Sequence, residues 1–343
     1  RRELAREEKR ERMKRSFVWI CVLSIACAAL FAGGASEENA ASSSKMKIAV
    51  QFGVGGLGDQ SFNDNINNAI LAAQKQIEFD YDYVEPKAVS EFENFFREFA
   101  QSKEYSLIVA AGSDAADACS KVAKEYPEQK FLLIDSPSQD PNVLGVTFKD
   151  NESTFLGGFA AGKITKTNKV GVVGALDIDV INGFIAGWEA GVKLANPQAI
   201  VYRAYCGGFK DPVTAKEMAL QMYNNGADIV FQAAGGSGLG VFQAAEETGN
   251  LAVGVDSNQN PLKPNSIVMS CVRSFTAIIY NAVNDLKDGK FKAGTTLQAG
   301  IADDAVDCTF EGSNVSVDKS VKDAMEALKQ DVKAGKVQIP SKL

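Results

Sequence analysis

The chain has 343 residues, 45% of them hydrophobic, which exceeds one ordinary domain and suits a two-lobed globular protein with real cores. Its 43 acidic against 36 basic side chains give a net charge of −7, and residues 1–32 hold eight of the basic and four of the acidic ones, so the rest carries about −11. That balance argues against nucleic acid and anionic lipid as partners. The complete absence of histidine removes the usual general base, the commonest zinc ligand and both common nucleophile triads.

The first residues read as a charged upstream extension, 1–12, followed by a signal segment, 13–35. Met13-Lys-Arg15 supplies a basic start, Phe17 to Phe31 an apolar run short for a bilayer span, and Ala32-Gly-Gly-Ala35 the small residues of a cleavage region. Residues 36–45 form a polar linker. The expectation is export, with cleavage near Ala32 or lipidation at Cys27 as the two processing routes, although Ser24 occupies a place where a lipobox has a large aliphatic residue. Cys119, Cys206, Cys271 and Cys308 remain beyond the leader, with no C-x-x-C and no metal-ligand spacing, so free buried thiols compete with one or two disulfides.

From Lys47 onward, apolar runs alternate with helical patterns. Strands are expected at 47–52, near 81–84, at 106–110, 131–135 and 143–148, with helices at 63–76, 91–102 and 115–125 between them. A helix rich in small residues, Phe155-Leu-Gly-Gly-Phe-Ala-Ala-Gly162, opens a second series: strands 169–173, 200–205, 228–232, 251–256 and 266–272, interleaved with helices 182–195, 211–224, 241–248 and 274–287. A strand-like 295–299 and a helix 320–334, stopped by Gly335 and Pro340, finish the chain. Strand and helix in rotation predict an α/β fold of two lobes, each a parallel sheet flanked by helices. Elements following the second series imply hinge crossovers, and the expected division is 46–149 plus 257–290 for lobe 1 and 150–256 plus 291–343 for lobe 2.

Ligands of open parallel sheets lie beyond the carboxyl ends of the strands. Those ends carry Gly53-Val-Gly-Gly-Leu-Gly-Asp59 through Phe62 and Asn63, then Gly112-Ser113, Asp135, the run Phe148 to Glu152, the run Phe209 to Asp211, Phe231-Gln-Ala-Ala-Gly235, Asp256 and Arg273. Phe62 and Phe231 stand beside glycines, where two rings could sandwich a flat heterocycle; the alternative for each is a core ring. Asp256 could accept from two sugar hydroxyls, with Arg273 bonding the same sugar or clamping Asp256, against a surface ion pair for Arg273. Asn63 and Asp135 could read a base edge, and Asp135 could instead cap the turn Ser136-Pro137.

Gly53 to Gly58 matches G-x-G-x-x-G, which raises a dinucleotide-binding enzyme. The helix, however, is expected to start near Asn63, outside the glycines, so no phosphate would meet its N-terminus. A nucleoside-cleaving enzyme would need a metal or an acid/base pair at the glycosidic bond, and no such carboxylate cluster is visible. No catalytic residue, metal or cofactor is assigned.

Gly56-Leu-Gly-Asp-Gln-Ser-Phe-Asn63, Phe131-Leu-Leu-Ile-Asp135, Phe148-Lys-Asp-Asn-Glu-Ser-Thr-Phe-Leu-Gly-Gly158, Phe231-Gln-Ala-Ala-Gly-Gly-Ser-Gly-Leu-Gly-Val-Phe242 and Gly254-Val-Asp256 resemble, in order, the basic membrane protein family. These are substrate-binding lipoproteins of ABC importers, among them purine nucleoside receptors. The resemblance spans nearly all of 47–340 and implies a type I periplasmic binding fold, a nucleoside ligand, a monomer, and a permease with its ATPase as partners. It further implies that Phe62 and Phe231 stack on the base, that Asn63 and Asp135 address it, and that Asp256 holds the ribose with help from Gly235. Two departures stand out: Gly53 where purine receptors of the family often carry Asp, and Arg273 where Lys is usual, which is not an equivalent exchange. A sugar or autoinducer receptor of the same fold is the alternative, and an adhesin without transport a further one.

Overall fold

A computed structural model describes residues 45–343. The expected upstream extension, signal segment, most of the linker and the candidate lipidation site Cys27 lie outside the described residues. In lobe 1, β1 (Lys47–Gln51), α1 (Phe62–Gln74), β2 (Asp80–Val84), α2 (Phe92–Ser102), β3 (Leu107–Ala111), α3 (Ala116–Glu125), β4 (Phe131–Ile134) and β5 (Val143–Phe148) follow one another. Helix α4 (Asp150–Ile164) then leads into lobe 2. There follow β6 (Lys169–Gly174), α5 (Asp179–Ala195), β7 (Ile200–Tyr205), α6 (Pro212–Asn224), β8 (Ile229–Ala233), α7 (Leu239–Thr248), β9 (Leu251–Asp256) and β10 (Ile267–Arg273). The chain ends with α8 (Thr276–Lys287), β11 (Thr295–Ala299), β12 (Val306–Thr309) and α9 (Lys319–Lys333).

Two six-stranded sheets result, ordered β11-β5-β4-β3-β1-β2 and β12-β10-β9-β8-β6-β7. All pairings between these strands are parallel except β10 with β12. Interior strands such as β3 (LIVAA) and β8 (IVFQA) are buried at every position, as expected where helices cover both faces of a parallel sheet. The outer strands β2, β7 and β11 expose much of their length.

The expected lobe boundaries need correction. Strand β10 belongs to the second sheet and β11 to the first, whereas 257–290 had been expected in lobe 1 and 291–343 in lobe 2. The chain therefore crosses between lobes three times: after Phe148, after Arg273 and after Ala299. Backbone bonds tie these crossings together, Lys149 N–H to the Ala299 carbonyl and Ser274 N–H to the Ala305 carbonyl, each at 2.8 Å. Glu152 adds a carboxylate that accepts from the Ile301 amide at 2.8 Å.

Lobe 2 owes its tightness to glycines. A Cβ at Gly158 would collide with the Trp188 backbone, and one at Gly191 with the Phe155 carbonyl, so α4 and α5 pack backbone to backbone. Trp188 in turn stacks on Phe231 with centroids 5.0 Å apart and planes 27° apart. Cys119, Cys206, Cys271 and Cys308 are free and buried, with Cys271 directly opposite Cys308 in the β10–β12 register.

Candidate functional site

The carboxyl ends of the two sheets face each other across a cavity of about 360 Å³, at the lower end of the ~300–1,000 Å³ usual for small-molecule sites. Lobe 1 supplies the loop after β1, with Gly53, Asp59, Phe62 and Asn63, then Gly112 to Asp114 after β3 and Asp135 after β4. Lobe 2 supplies Leu176 and Ile178 after β6, Phe184 from α5, Phe209 after β7, Gly235 after β8, Asp256 from the end of β9 and Arg273 from the end of β10. Apolar side chains form much of the wall, and Asp135, Asp256 and Arg273 bring charge to it from the strands beside the crossings.

Asp135 and Asp256 occupy corresponding places, on the third strand counted from the crossing edge of each sheet. Both have left-handed backbone, φ 67° and 63°, a conformation Asp tolerates better than most residues. Arg273 joins them. Its Nε donates to Asp256 Oδ1 at 2.7 Å, with Nη2 at 2.7 Å from the same oxygen in an ion pair, and Nη1 donates to Asp135 Oδ1 and Oδ2 at 2.8 and 3.0 Å. Asp150 Oδ2 lies 3.6 Å from Nη1, while its Oδ1 is buried without a partner among the described residues. The rings of Phe62, Phe148, Phe184 and Phe275 surround the guanidinium, their centroids 5.2–5.3 Å from its carbon.

Three carboxylates against one guanidinium leave an excess of negative charge in a dry place. Burial pushes the Asp150 carboxyl up to about 8, with Arg273 opposing and Asp135 and Asp256 adding to the rise. Burial also raises Asp135, again against the pull of Arg273. For Arg273, burial favours the neutral form, but Asp135, Asp256 and Asp150 outweigh it and hold the charge on.

Asp59 plays a different part. Its Oδ1 accepts from the Ser61 and Asp64 amides at 2.9 and 3.1 Å, and its Oδ2 from the Asn63 amide and Nδ2 at 2.9 and 3.1 Å. The carboxylate thus satisfies donors at the start of α1 that the helix leaves open. Burial still raises it to about 6, those amides opposing. Asn63 closes the loop by accepting from the Gly53 amide at 2.9 Å.

The lobes are latched beside the cavity. Ser61 Oγ donates to Asp256 Oδ2 at 2.5 Å, Asn65 Nδ2 donates to the Asp256 and Arg273 carbonyls at 2.9 Å each, and Gln259 Nε2 donates to the Gln60 carbonyl at 2.8 Å.

Nine of the ten residues expected at the site line this cavity: Asp59, Phe62, Asn63, Gly112, Ser113, Asp135, Gly235, Asp256 and Arg273. Phe231 does not. It is fully buried in the lobe 2 core against Trp188, because β8 turns that position to the α5 face of the sheet. Lobe 2 brings two rings to the cavity, Phe184 and Phe209; the second is held by Ser237, whose amide donates to the Phe209 carbonyl at 3.1 Å and whose Oγ donates to the Gly208 carbonyl at 2.7 Å. Gly235, at φ 55°, lets the Phe209 ring come within 3.4 Å of where a Cβ would stand. Arg273 is likewise no surface ion pair, being 6% exposed. Phe184, Asp114 and Asp150 were not singled out from sequence; Phe209 and Asp150 lay in strand-end runs that located them without weighting them.

Two sheets, three crossings and a latched cavity at the strand ends define a type I periplasmic binding protein, the fold of solved ABC-importer solute-binding proteins. One of these, from Aeropyrum pernix K1, superposes with a TM-score of 0.80 at 25% identity, covering 86% of this chain and 93% of that one. The chain belongs to the Bmp family, described as ABC transporter substrate-binding protein PnrA-like, whose model matches residues 45–342. It is 31% identical to the ABC transporter nucleoside-binding protein BmpA of Lactococcus lactis subsp. cremoris, across 96% of this chain and all of that protein. It is also 30% identical to basic membrane protein A of Borreliella afzelii, across 72% of this chain and 78% of that one.

Proposed function

We propose that this substrate-binding protein captures a purine nucleoside outside the cytoplasmic membrane and delivers it to an ABC permease, without chemistry on the ligand. The observation that carries the reading is the division of the cavity. Phe62 from one lobe and Phe209 from the other offer rings to a flat base. Asp256, with Arg273 and the Gly235 backbone beside it, offers acceptors and donors suited to ribose hydroxyls. The nucleoside-binding relative of Lactococcus lactis supports the same ligand class. Ligand binding would favour the latched form, presenting both lobes of a monomer to the permease. A membrane anchor at the N-terminus would keep it there.

The test is thermal unfolding of ligand-stripped protein with purine and pyrimidine nucleosides, free bases and sugars. Binding to the native state alone adds RT ln(1 + [L]/Kd), about 2.7 kcal/mol at a hundredfold excess over Kd. A shift with purine nucleosides supports the reading. A shift with sugars alone replaces it by a sugar receptor, and release of free base from a bound nucleoside replaces it by an enzyme.

A further inference from the structure

The carboxylates of the cavity differ in what they still have to offer a ligand. Asp59 is saturated by four donors of its own loop, Asp135 commits both oxygens to Arg273, and Asp256 receives Arg273 on one oxygen and Ser61 on the other, keeping spare acceptor capacity that the ribose would use. Asn63 is occupied as well, accepting from the Gly53 amide and donating to Asp59. Asp114 stands apart. It lines the cavity and retains accessible surface; no other residue's donor reaches its carboxylate among the described residues, while burial and the charge of Asp135 raise it and its own backbone amide opposes the rise.

Its orientation is set by the turn after β3. Gly112 has φ 109°, and a Cβ there would collide with Asp114 Oδ1. The carboxylate is therefore folded back over the strand end instead of running out along α3. On the lobe 1 sheet, β3 lies one strand further from the crossings than β4, which ends at Asp135. Asp114 therefore follows the strand next to the one that ends at Asp135, whose charge acts on it, while Asp256 and Arg273 come from the other sheet.

Resting on the nucleoside reading above, we infer that Asp114 is the base-reading acceptor of this cavity and that it selects a base presenting a ring N–H next to an exocyclic amino group, a guanine-type edge. An ionised carboxylate only accepts, and its two oxygens lie side by side, so its complement is a pair of adjacent donors. Guanine offers that pair. Hypoxanthine offers the ring N–H alone. Adenine sets its amino group beside a ring nitrogen acceptor, which a carboxylate repels. Asparagine at 114 reverses the logic, since one amide both donates to that nitrogen and accepts from the amino group.

Calorimetric dissociation constants for guanosine, inosine and adenosine on the full chain and on Asp114→Asn and Asp114→Ala test the inference. In the parent protein the order is guanosine tightest and adenosine weakest. Asp114→Asn and Asp114→Ala each weaken guanosine at least about tenfold, because adjacent donors lose their acceptor pair, and Asp114→Asn lowers the guanosine to adenosine preference by a larger factor than Asp114→Ala. A parent that prefers adenosine, or a preference unmoved in properly folded Asp114→Asn, overturns the role of Asp114 while leaving the nucleoside receptor standing. Failure of every nucleoside to bind the parent protein overturns both.

Discussion

Arg273, rooted at the end of β10 in lobe 2, donates Nη1 to both carboxylate oxygens of Asp135, at the end of β4 in lobe 1, at 2.8 and 3.0 Å. The same guanidinium holds Asp256 at 2.7 Å, so one cation ties the ligand-facing ends of both sheets. Removing one partner of a buried pair strands the other's charge and costs about 3–5 kcal/mol. Arg273→Met, which keeps the apolar fit among the four phenyl rings, is expected to lower Tm by roughly 10 °C at pH 7. Arg273→Lys should fall between, because an ammonium cannot fork to two carboxylates. A Tm for Arg273→Met within about 2 °C of the parent would show that the cluster contributes no net stability.

The excess of acid around Arg273 has a pH signature. Asp150 titrates at about 8 in the folded protein, against about 3.9 in an unfolded chain. Between these values the folded state binds the extra proton, so the stability that Asp150 contributes is complete below pH about 4 and falls as pH rises to about 8. Asp59, raised to about 6, has the same sign over a narrower window. Asp150→Asn removes the first contribution. Relative to the parent, its Tm should rise steadily from pH 5 to pH 8; a constant difference across that range would contradict the buried, proton-binding carboxyl.

Phe209 and Phe231 should separate binding from stability. Phe231 is enclosed by the lobe 2 core, and Phe231→Ala is expected to cost about 3–5 kcal/mol with a modest effect on ligand affinity once the protein is folded. Phe209→Ala should weaken the ligand by about tenfold or more, the scale of losing one stacking ring and its buried area, with a smaller change in Tm. Chemical denaturation alongside calorimetric titration of both variants decides it, and the reverse pattern would put Phe231 back at the ligand.

That pair also shows where the sequence stopped being readable. Alternation of apolar strands and helical patterns is local, so the elements from β1 to β10 could be read within a few residues, as could the strand ends that line the cavity. Strand β11 joins the first sheet through β5, more than a hundred residues earlier, and β10 joins the second between β9 and β12, and no local period records either choice of sheet. Phe231 lies in a strand buried on both faces, where alternation carries no sign of which face meets the ligand. Phe209 sits in an irregular segment after Gly207 and Gly208, without any period at all. The four-residue β12, Val-Asp-Cys-Thr, is too short to show a pattern in sequence. Asp150 looked like an ordinary acidic residue at a helix start; its raised carboxyl comes from packing at the crossings, between residues 135, 256 and 273.

The α4–α5 contact is the most sensitive place to small changes of volume. Gly158 lies against the backbone of Trp188, and Gly191 against the carbonyl of Phe155, so neither helix can take a methyl group without moving the other. Overpacking of this kind typically costs about 1–3 kcal/mol, and here the obstacle is backbone, which cannot rotate away. Trp188 is the one tryptophan among the described residues; it is fully buried and its ring is stacked on Phe231. Gly158→Ala is therefore expected to destabilise lobe 2 by about that amount and to change the emission of Trp188, which moves with α5. Gly183→Ala on α5, the helix of Trp188, is the control, since a Cβ there would meet only the Ser341 carbonyl at an ordinary 3.6 Å. Equal effects of the two substitutions on Tm and fluorescence would refute close helix packing as the reason for glycine at 158.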